Sequence, residues 1–283
     1  MARFGDRALR RAVGQAIHLY GMISDGDRIA VGLSGGTDSL TLLWSLHERR
    51  SRIPIDYFLA AIHIDLGFEG GIVPQVERFC LDAGIVLRVE HTDYGIRAHS
   101  EENRENPCFL CARLRRKRLF ELSHEMGCQK LALGHHMDDI IETLLINMCY
   151  AGEMSTMVPI QPFFGGKLTV IRPLAHVAGD TIDRFARSQG FPVLTNPCPT
   201  AETSKRRHIR KLLEALYETN PKIRGNLFRA MSHVKPDYLL RPPCPDSPLL
   251  NTAGVALGDP SSAKRPASGS MDMVTTPSGT SKS

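Results

Sequence analysis

Ser34-Gly35-Gly36-Thr37-Asp38-Ser39 is the stretch that decides the fold. It follows an apolar run of strand type at residues 29–33 and precedes residues 40–46, whose apolar side chains recur at helical spacing. Glycines that allow close backbone approach, converging N–H groups and a helix N-terminus together form a cradle for an anion. The stretch has neither the lysine and spacing of a Walker A loop nor the spacing of a Rossmann fingerprint. We expect it to bind phosphate, and a tight turn that serves packing alone is the alternative.

Strand and helix patterns alternate along the chain around this loop. The strand candidates are residues 28–33, 57–64, 85–90, 130–134 and 168–172. The helix candidates are residues 7–22, before the first strand, and 37–49, 73–84, 112–127 and 138–150 between the strands. The alternation predicts an α/β fold, a five-stranded parallel sheet with helices on both faces. In such sheets ligands bind beyond the carboxyl ends of the strands.

Helix patterns continue after the sheet, at about 178–190, 201–219 and 221–233, and predict a small C-terminal helical annex. From Pro242 onward Pro, Ser, Gly and Thr dominate without apolar periodicity, which predicts a disordered tail. We therefore divide the chain into three parts. They are a nucleotide-binding domain with its preceding helix (1–190), an annex that carries Cys198 (191–241) and the tail (242–283).

Composition and charge narrow the class of protein. The 283 residues, 42% of them hydrophobic, can bury a full core; no run is long and apolar enough to predict a membrane span, and residues 1–7 lack the apolar core expected of a signal peptide. We expect a cytoplasmic protein that does not enter a membrane. The net charge is +5, and the basic residues concentrate in segments 104–118 and 205–211. This segregation favours a polyanionic partner such as nucleic acid, with two solvated helix faces as the alternative.

Polar side chains follow the strand candidates on the same expected edge of the sheet as the glycine-containing loop. His63 and Asp65 close the second strand, Gly134 and His135 follow the fourth, and Asp138-Asp139 opens the next helix. Carboxylates beside phosphates commonly recruit Mg²⁺, and Asp38 is the candidate nearest to the loop. For the Asp138-Asp139 pair, helix capping is the alternative role.

The seven cysteines do not form the even set of a disulfide framework, which favours reduced thiols. Cys108 and Cys111 have a spacing that suits a metal, a cluster or a redox pair, and Cys198 lies between two prolines. Three thiolates without an obvious fourth favour an iron–sulfur cluster with one iron left open, whereas zinc would need completion by a residue such as histidine. The cysteines interpreted as small hydrophobic residues of the fold are Cys80, Cys128 and Cys149.

Four motifs taken together resemble the N-type PP-loop ATPases. They are the loop 34–39, His63-Ile64-Asp65, Gly134-His135-His136-Met137-Asp138-Asp139 with Glu142-Thr143, and Ile171-Arg172-Pro173-Leu174. Within that superfamily, Cys108 and Cys111 before a basic helix, plus the lone downstream Cys198, are similar to the tRNA 2-thiocytidine-forming TtcA family. The resemblance covers residues 8–235.

The resemblance implies a nucleotide-alpha-hydrolase-like fold and an ATP-dependent tRNA sulfurtransferase. The C2 carbonyl oxygen of a tRNA cytidine, at position 32, would attack the α-phosphorus of ATP, and sulfur carried on a [4Fe-4S] cluster would then displace AMP. The implied cofactors are ATP, Mg²⁺ and the cluster. The implied partners are tRNA, a sulfur donor such as a cysteine desulfurase, and a second copy of the chain in a homodimer.

The same resemblance implies four sets of site residues. The catalytic residues are Asp38, Cys108, Cys111 and Cys198, and the three cysteines hold the cluster. The ATP-binding residues are Ser34, Gly35, Gly36, Thr37, Asp38, Ser39, His63, Gly134 and His135. The Mg²⁺ ligands are Asp38, Asp138 and Asp139. The tRNA-binding residues are Arg113, Arg115, Arg116, Lys117, Lys205, Arg206, Arg207 and Arg210.

The chain departs from the family pattern in two places. Many members carry lysine where this chain has Thr37, which removes one charge from the phosphate site, and Ala175-His176-Val177-Ala178 replaces the tyrosine and charged residues common after the Arg-Pro-Leu motif. The alternative hypotheses are a PP-loop ligase or thiolase acting on another RNA or small-molecule carbonyl, and a catalytically decayed module that binds RNA or nucleotide.

Overall fold

The computed structural model describes residues 2–192, 194, 198 and 205–240, so the tail predicted from residue 242 lies outside the described residues. The chain divides into two compact units, Met1–Val234 and Lys235–Ser283. The described part of the second unit contains one 3-10 turn, Pro236–Tyr238. Domain boundaries after residues 190 and 241 stay a prediction. Within the described residues, none of the helices has the length and apolar character needed to span a membrane.

The first unit is built on one sheet with helices on both faces. Its strands are β1 (Arg28–Gly32), β2 (Phe58–Asp65), β3 (Val86–His91), β4 (Lys130–Ala132), β5 (Ile160–Phe163) and β6 (Leu168–Ile171). Its helices are α1 (Ala2–Leu19), α2 (Thr37–Arg49), α3 (Val73–Asp82), α4 (Tyr94–Ala98), α5 (Pro107–Glu125), α6 (Met137–Ala151), α7 (Gly179–Ser188), α8 (Lys205–Thr219) and α9 (Ile223–Ala230). The predicted α/β class is confirmed.

The sheet has six strands rather than the predicted five. Its order is β3-β2-β1-β4-β6-β5, and the five predicted strands are mutually parallel. The additional strand, β5, pairs antiparallel with β6, with Ile160 opposite Ile171 and Phe163 opposite Leu168. β5 could not be predicted from the sequence, because it is only four residues long and contains Pro162. A sheet tolerates proline in an edge strand such as this one.

Alternate residues of the central strand point to the two faces of the sheet. Ile29 and Val31 of β1 belong to a core cluster with α1, α2 and α7, whereas Ala30 belongs to a second cluster with Leu119 and Leu122 of α5. Both faces are therefore covered, as the continuous apolar character of β1 requires. A third, smaller cluster joins Ile141 of α6 to Ile209 and Leu213 of α8.

The strand order reverses between β1 and β4, which are neighbours in the sheet. The loop 34–39 leaves the carboxyl end of β1, and residues 133–136 leave the carboxyl end of β4. Ligands of open α/β sheets bind at such a switch point, so the topology places both segments where a ligand site is expected.

Candidate active site

Hydrogen bonds of the Ser39 hydroxyl group stabilise the conformation of the loop 34–39. The Ser34 N–H donates to Ser39 Oγ at 3.1 Å, and Ser39 Oγ donates to the Gly36 carbonyl oxygen at 2.9 Å. Gly35 has a φ of +83°, and a Cβ there would lie 2.0 Å from the Ile72 side chain. The loop thus needs glycine at this position, and it leads directly into the N-terminus of α2, where backbone N–H groups favour an anion.

The segment after β4 approaches this loop closely. A Cβ on Gly134 would lie 3.1 Å from the Asp38 carbonyl carbon and the Ser39 backbone nitrogen. A side chain at this position would force the backbone at Asp38 and Ser39 to move by a few tenths of an ångström. The predicted site residue Gly134 therefore has a steric reason to be glycine.

Asp38 lies at the mouth of the site, with its side chain 41% exposed and one carboxylate oxygen 3.8 Å from His136 Nε2. Burial raises the pKa of Asp38, and the nearby carboxylates of Asp139 and Asp183 raise it further, while His136 opposes them. The carboxylate is accessible to a cation from solvent. Its role as a Mg²⁺ ligand stays a prediction.

The two predicted ATP-binding histidines are held in different ways. His63 is buried at the end of β2, where Nδ1 lies 2.8 Å from the Leu33 carbonyl oxygen, and burial lowers its pKa. His135 Nδ1 instead accepts from Arg172 Nε at 3.3 Å, and burial lowers the pKa of His135 to about 4. A neutral His135 that accepts at Nδ1 carries its proton on Nε2.

Arg172 is also a member of this site. It belongs to the Ile171-Arg172-Pro173-Leu174 motif, but no role was predicted for it. It is buried, it donates to the Val158 carbonyl oxygen at 2.5 Å as well as to His135, and burial lowers its pKa to about 10. The signal available in the sequence was its place at the carboxyl end of a predicted strand, followed by proline. A buried guanidinium there orients His135.

Asp138 and Asp139, the other predicted Mg²⁺ ligands, are engaged by protein groups. Asp138 accepts from the Gly179 N–H at 2.7 Å and forms an ion pair with Arg224 at 2.9 Å. Asp139 accepts from the His136 N–H in a capping box and pairs with Arg206 at 2.9 Å. These contacts match the capping alternative, and they leave fewer oxygen lone pairs for a metal ion.

Glu142 of α6 is a second residue of this region for which no role was predicted. Its side chain is 3% exposed and receives Arg210 Nε at 2.7 Å and an Arg206 nitrogen at 3.3 Å. Two of the predicted tRNA-binding arginines thus bind a buried carboxylate of α6. The sequence around Glu142 does not predict this pairing, because both arginines belong to a helix more than sixty residues later.

The three predicted cluster cysteines come together at the start of α5. Cys108 and Cys111 lie in its first turns, after Asn106, whose side chain caps the helix by accepting from the Phe109 N–H. Burial raises the pKa of the Cys111 thiol, and the thiols of Cys198 and Cys108 raise it further. Such repulsion acts only between nearby charges, so the fold brings Cys198 to the other two. Among residues 2–192, 194, 198 and 205–240, no three or more His, Cys, Asp or Glu side chains are arranged to hold a metal ion.

Arg115 connects the cysteines with the histidines of the loop region. Its positive charge lowers the pKa values of Cys111, His63 and His135, which belong to three different segments. It follows Cys111 by one helical turn and is exposed. Cys111 and the two histidines at the strand ends therefore share the positive potential of one guanidinium.

The other predicted tRNA-binding residues lie on the same two helices. On α5, Arg113 pairs with Glu105 at 3.1 Å, Lys117 lies 3.8 Å from Glu121, and Arg116 is exposed. On α8, Lys205 lies over the Tyr150 ring and Arg207 is exposed. Contact of these residues with tRNA stays a prediction. The cysteines outside the cluster set include Cys80 and Cys128, which are buried, and Cys149, which is exposed.

Comparison with known proteins adds an independent line of evidence. Residues 8–216 match the family model described as PP-loop domain. The chain is 42% identical over 237 residues to a tRNA-cytidine(32) 2-sulfurtransferase of Geobacter sulfurreducens, covering 83% of this chain and 92% of that protein. It is 43% identical over 238 residues to the enzyme of the same name from Geotalea daltonii, with 83% and 94% covered.

A solved structure is similar as well. The U34-tRNA thiolase NcsA from Methanococcus maripaludis, solved with its [4Fe-4S] cluster, superposes with a TM-score of 0.68 at 25% sequence identity. The alignment covers 83% of this chain and 81% of that one.

Proposed function

The chain belongs to the PP-loop domain family and, within it, to the tRNA-cytidine(32) 2-sulfurtransferases, and from this premise we propose that it adenylates C2 of cytidine 32 in tRNA and replaces the oxygen with sulfur. The observation that supports the proposal is the mutual influence of Cys108, Cys111 and Cys198, since the thiols of Cys198 and Cys108 both raise the pKa of Cys111, as expected of groups that lie near one another. A thiol-rich site next to a nucleotide site is what activation followed by sulfur transfer requires.

Activation is assigned to the loop 34–39. Its N–H groups and the start of α2 bind the phosphates of ATP, and Asp38 helps to hold Mg²⁺. The C2 carbonyl oxygen of the cytosine attacks the α-phosphorus and pyrophosphate leaves, which turns that oxygen into part of a good leaving group. We assign His135, with its proton on Nε2, to donate a hydrogen bond to the negative charge that develops on the phosphate oxygens. Thr37 supplies a hydroxyl where many relatives supply lysine.

Sulfur transfer is assigned to the three cysteines. Their soft thiolates suit iron and sulfide, and three thiolates can hold a four-iron cluster with one iron left open. A [4Fe-4S] cluster with three protein thiolates supplies one iron that can carry sulfur at the oxidation level of sulfide. With Cys108, Cys111 and Cys198 holding the cluster, that sulfur would replace the activated oxygen at C2 and AMP would leave with the former carbonyl oxygen, so the exchange itself would need no net oxidation or reduction.

We assign tRNA binding to the exposed basic side chains of α5 and to Lys205 and Arg207 of α8, which would position the cytosine through phosphate contacts, whereas Arg206 and Arg210 are held by Glu142. We assign the supply of sulfur to a donor such as a cysteine desulfurase, whose persulfide sulfur is brought to the oxidation level of sulfide by two electrons from a thiol reductant, and we assign the reaction to the cytoplasm. A homodimer is an expectation from the family.

Nucleoside mass spectrometry of tRNA tests the proposal. Cells that lack the protein should lose 2-thiocytidine, and the wild-type gene should restore it. Asp38→Ala should fail to restore it while the purified variant binds tRNA with nearly unchanged affinity, because Asp38 serves phosphate chemistry. Unchanged 2-thiocytidine in the deletion strain would refute the function. Activity retained by a Cys108→Ala/Cys111→Ala/Cys198→Ala variant would favour a ligase that uses another nucleophile.

The cofactor is tested on anaerobically purified protein. We expect a brown protein with about four irons per chain, the number that defines the cluster, and loss of the colour in Cys198→Ala. Cys149→Ala, at an exposed cysteine outside the site, is the matched control and should stay brown. A colourless protein that contains stoichiometric zinc would refute the cluster.

A further inference from the structure

His136 lies between the loop 34–39 and α6, and the proposed function gives it no role. It is the N-cap residue of α6, and its Nδ1 accepts a hydrogen bond from the Asp138 N–H at 3.2 Å. A backbone N–H can only donate, so Nδ1 presents a lone pair and the ring carries its proton on Nε2. The cap of α6 thus determines which nitrogen of His136 can donate a hydrogen bond.

Packing fixes the position of the His136 ring. The residue is buried, and its own backbone N–H donates to Asp139 Oδ2 at 3.1 Å. A Cβ on Gly179, the first residue of α7, would lie 3.2 Å from the ring carbon Cε1 and 3.5 Å from Nε2. Because α7 begins directly against this side of the ring, the ring has little room to turn.

Two carboxylates lie near Nε2, and they differ in the donors that they already have. Asp139 Oδ2 is 3.6 Å from Nε2, and Asp38 Oδ1 is 3.8 Å from it. Asp139 already accepts from the His136 N–H and from Arg206 at 2.9 Å. Within the described part of the chain, the Asp38 carboxylate accepts no hydrogen bond and pairs with no arginine or lysine. Asp38 is therefore the carboxylate for which the Nε2–H is available.

We propose that His136 is a positioning residue whose Nε2–H orients the Asp38 carboxylate for Mg²⁺–ATP, an inference that rests on the nucleotide site of the proposed function. The Asp38 side chain is 41% exposed, so it has room to move the ~1 Å that separates 3.8 Å from hydrogen-bond distance. Hydrogen bonds of active sites are often long before the ligand binds and shorten in the complex. A carboxylate that is held through one oxygen loses less freedom when a cation binds the other, which favours binding.

A double-mutant cycle on nucleotide affinity tests this role. Isothermal titration calorimetry of the full chain uses Mg²⁺ with the α,β-methylene analogue of ATP, which cannot release pyrophosphate. His136→Asn keeps a good N-cap residue, but its shorter side chain does not reach Asp38. We expect it to weaken binding about fivefold in the wild-type background and less than about 1.5-fold in the Asp38→Ala background, because the ring acts through Asp38. Equal weakening in the two backgrounds would overturn the inference.

Binding in EDTA, without Mg²⁺, separates the positioning role from a structural one. There His136→Asn should bind the analogue within about 1.5-fold of the wild type, because no cation needs the Asp38 carboxylate in one orientation. Weakening of the same size with and without Mg²⁺ would show that His136 acts on the fold of the site, and would overturn the inference as well. The control variant is His124→Asn, at an exposed histidine in the last turn of α5, which should bind like the wild type.

Nuclear magnetic resonance of wild-type protein labelled with ¹⁵N-histidine decides the question even if His136→Asn does not fold. Addition of Mg²⁺ and the analogue should give a new, slowly exchanging Nε2–H proton, and Asp38→Ala should lack it. A wild-type spectrum without this proton would overturn the inference alone. A deletion strain that keeps 2-thiocytidine would refute the proposed function without changing the cycle, whereas a wild-type protein that does not bind the analogue would overturn both.

Discussion

The basic helices α5 and α8 look alike in the sequence but use their charges differently. On α8, Arg206 and Arg210 bind Glu142, a carboxylate that is 3% exposed. On α5, Arg115 and Arg116 are exposed, and neither forms an ion pair within the described part of the chain. Charge density alone predicts nucleic-acid contact for both helices. A carboxylate on a neighbouring helix, invisible in the local sequence, decides which charges are already neutralised.

The two helices use their charges differently because their buried residues pack against different elements of the fold. Ile209 and Leu213 of α8 lie against Ile141 of α6, so the arginines that flank Ile209 reach the next residue of α6, Glu142. The inward residues of α5 are Leu119 and Leu122, which lie against the sheet and place the arginines one turn earlier at the carboxyl edge of the strands. One basic helix fastens the C-terminal helices to the sheet domain, and the other faces the site.

The largest expected effect comes from removing the buried carboxylate. Glu142→Gln should lower the free energy of unfolding by about 2–3 kcal/mol, less than for a fully buried pair because both arginines are partly exposed. Urea denaturation measures it. The matched control is Glu105→Gln, which removes the exposed partner of Arg113 on α5 and should change stability by less than about 0.5 kcal/mol. Equal losses in the two variants would contradict the distinction between the helices.

The next effect concerns tRNA affinity. Arg115→Gln/Arg116→Gln should weaken tRNA binding about tenfold and reduce the salt slope of log K by about 0.7 per lost phosphate contact, with little change in stability. Arg206→Gln/Arg210→Gln should bind tRNA within about twofold of wild type, because these charges are already paired. Filter binding at several salt concentrations, at a temperature where circular dichroism shows both variants folded, gives the comparison. A larger loss in the α8 variant would reverse the assignment.

Much of this structure could be predicted from periodicity and loop chemistry. The five parallel strands and the helices between them follow from apolar patterns, and the loop 34–39 follows from its glycines and its place between strand and helix. What the sequence did not yield depends on contacts between distant segments. β5 is short and holds a proline, Arg172 acts through His135, and His99 meets a cysteine about a hundred residues later. Pairing of Glu142 with α8 belongs to the same class.

The pKa of His135 depends on charges of both basic helices. Burial lowers this pKa to about 4, and Arg206 of α8 and Arg115 of α5 each help to lower it. The unfolded state has the ordinary value near 6.5 and therefore binds the proton first as the pH falls. The stability that the neutral ring provides is complete above about pH 6.5 and is lost toward pH 4, at no more than about 1 kcal/mol per pH unit. Urea denaturation of wild type and His135→Gln from pH 7 to 4 should show a shallower slope in the variant. Parallel slopes would contradict the neutral ring.

The smallest expected effect is on the pKa of His135, and it compares one arginine from each basic helix. Arg115→Gln should raise the pKa of His135 by about 0.3–0.5 unit, because removal of an exposed and unpaired positive charge makes the imidazolium less unfavourable. Arg206→Gln should raise it by at least as much, since Arg206 lowers the pKa of His135 more than Arg115 does and its removal leaves the carboxylate of Asp139 without its partner. Histidine NMR titration of each variant measures the shifts, with Lys117→Gln as a control on the same helix as Arg115. A smaller shift in Arg206→Gln than in Arg115→Gln would contradict the larger contribution of Arg206 to the lowered pKa of His135.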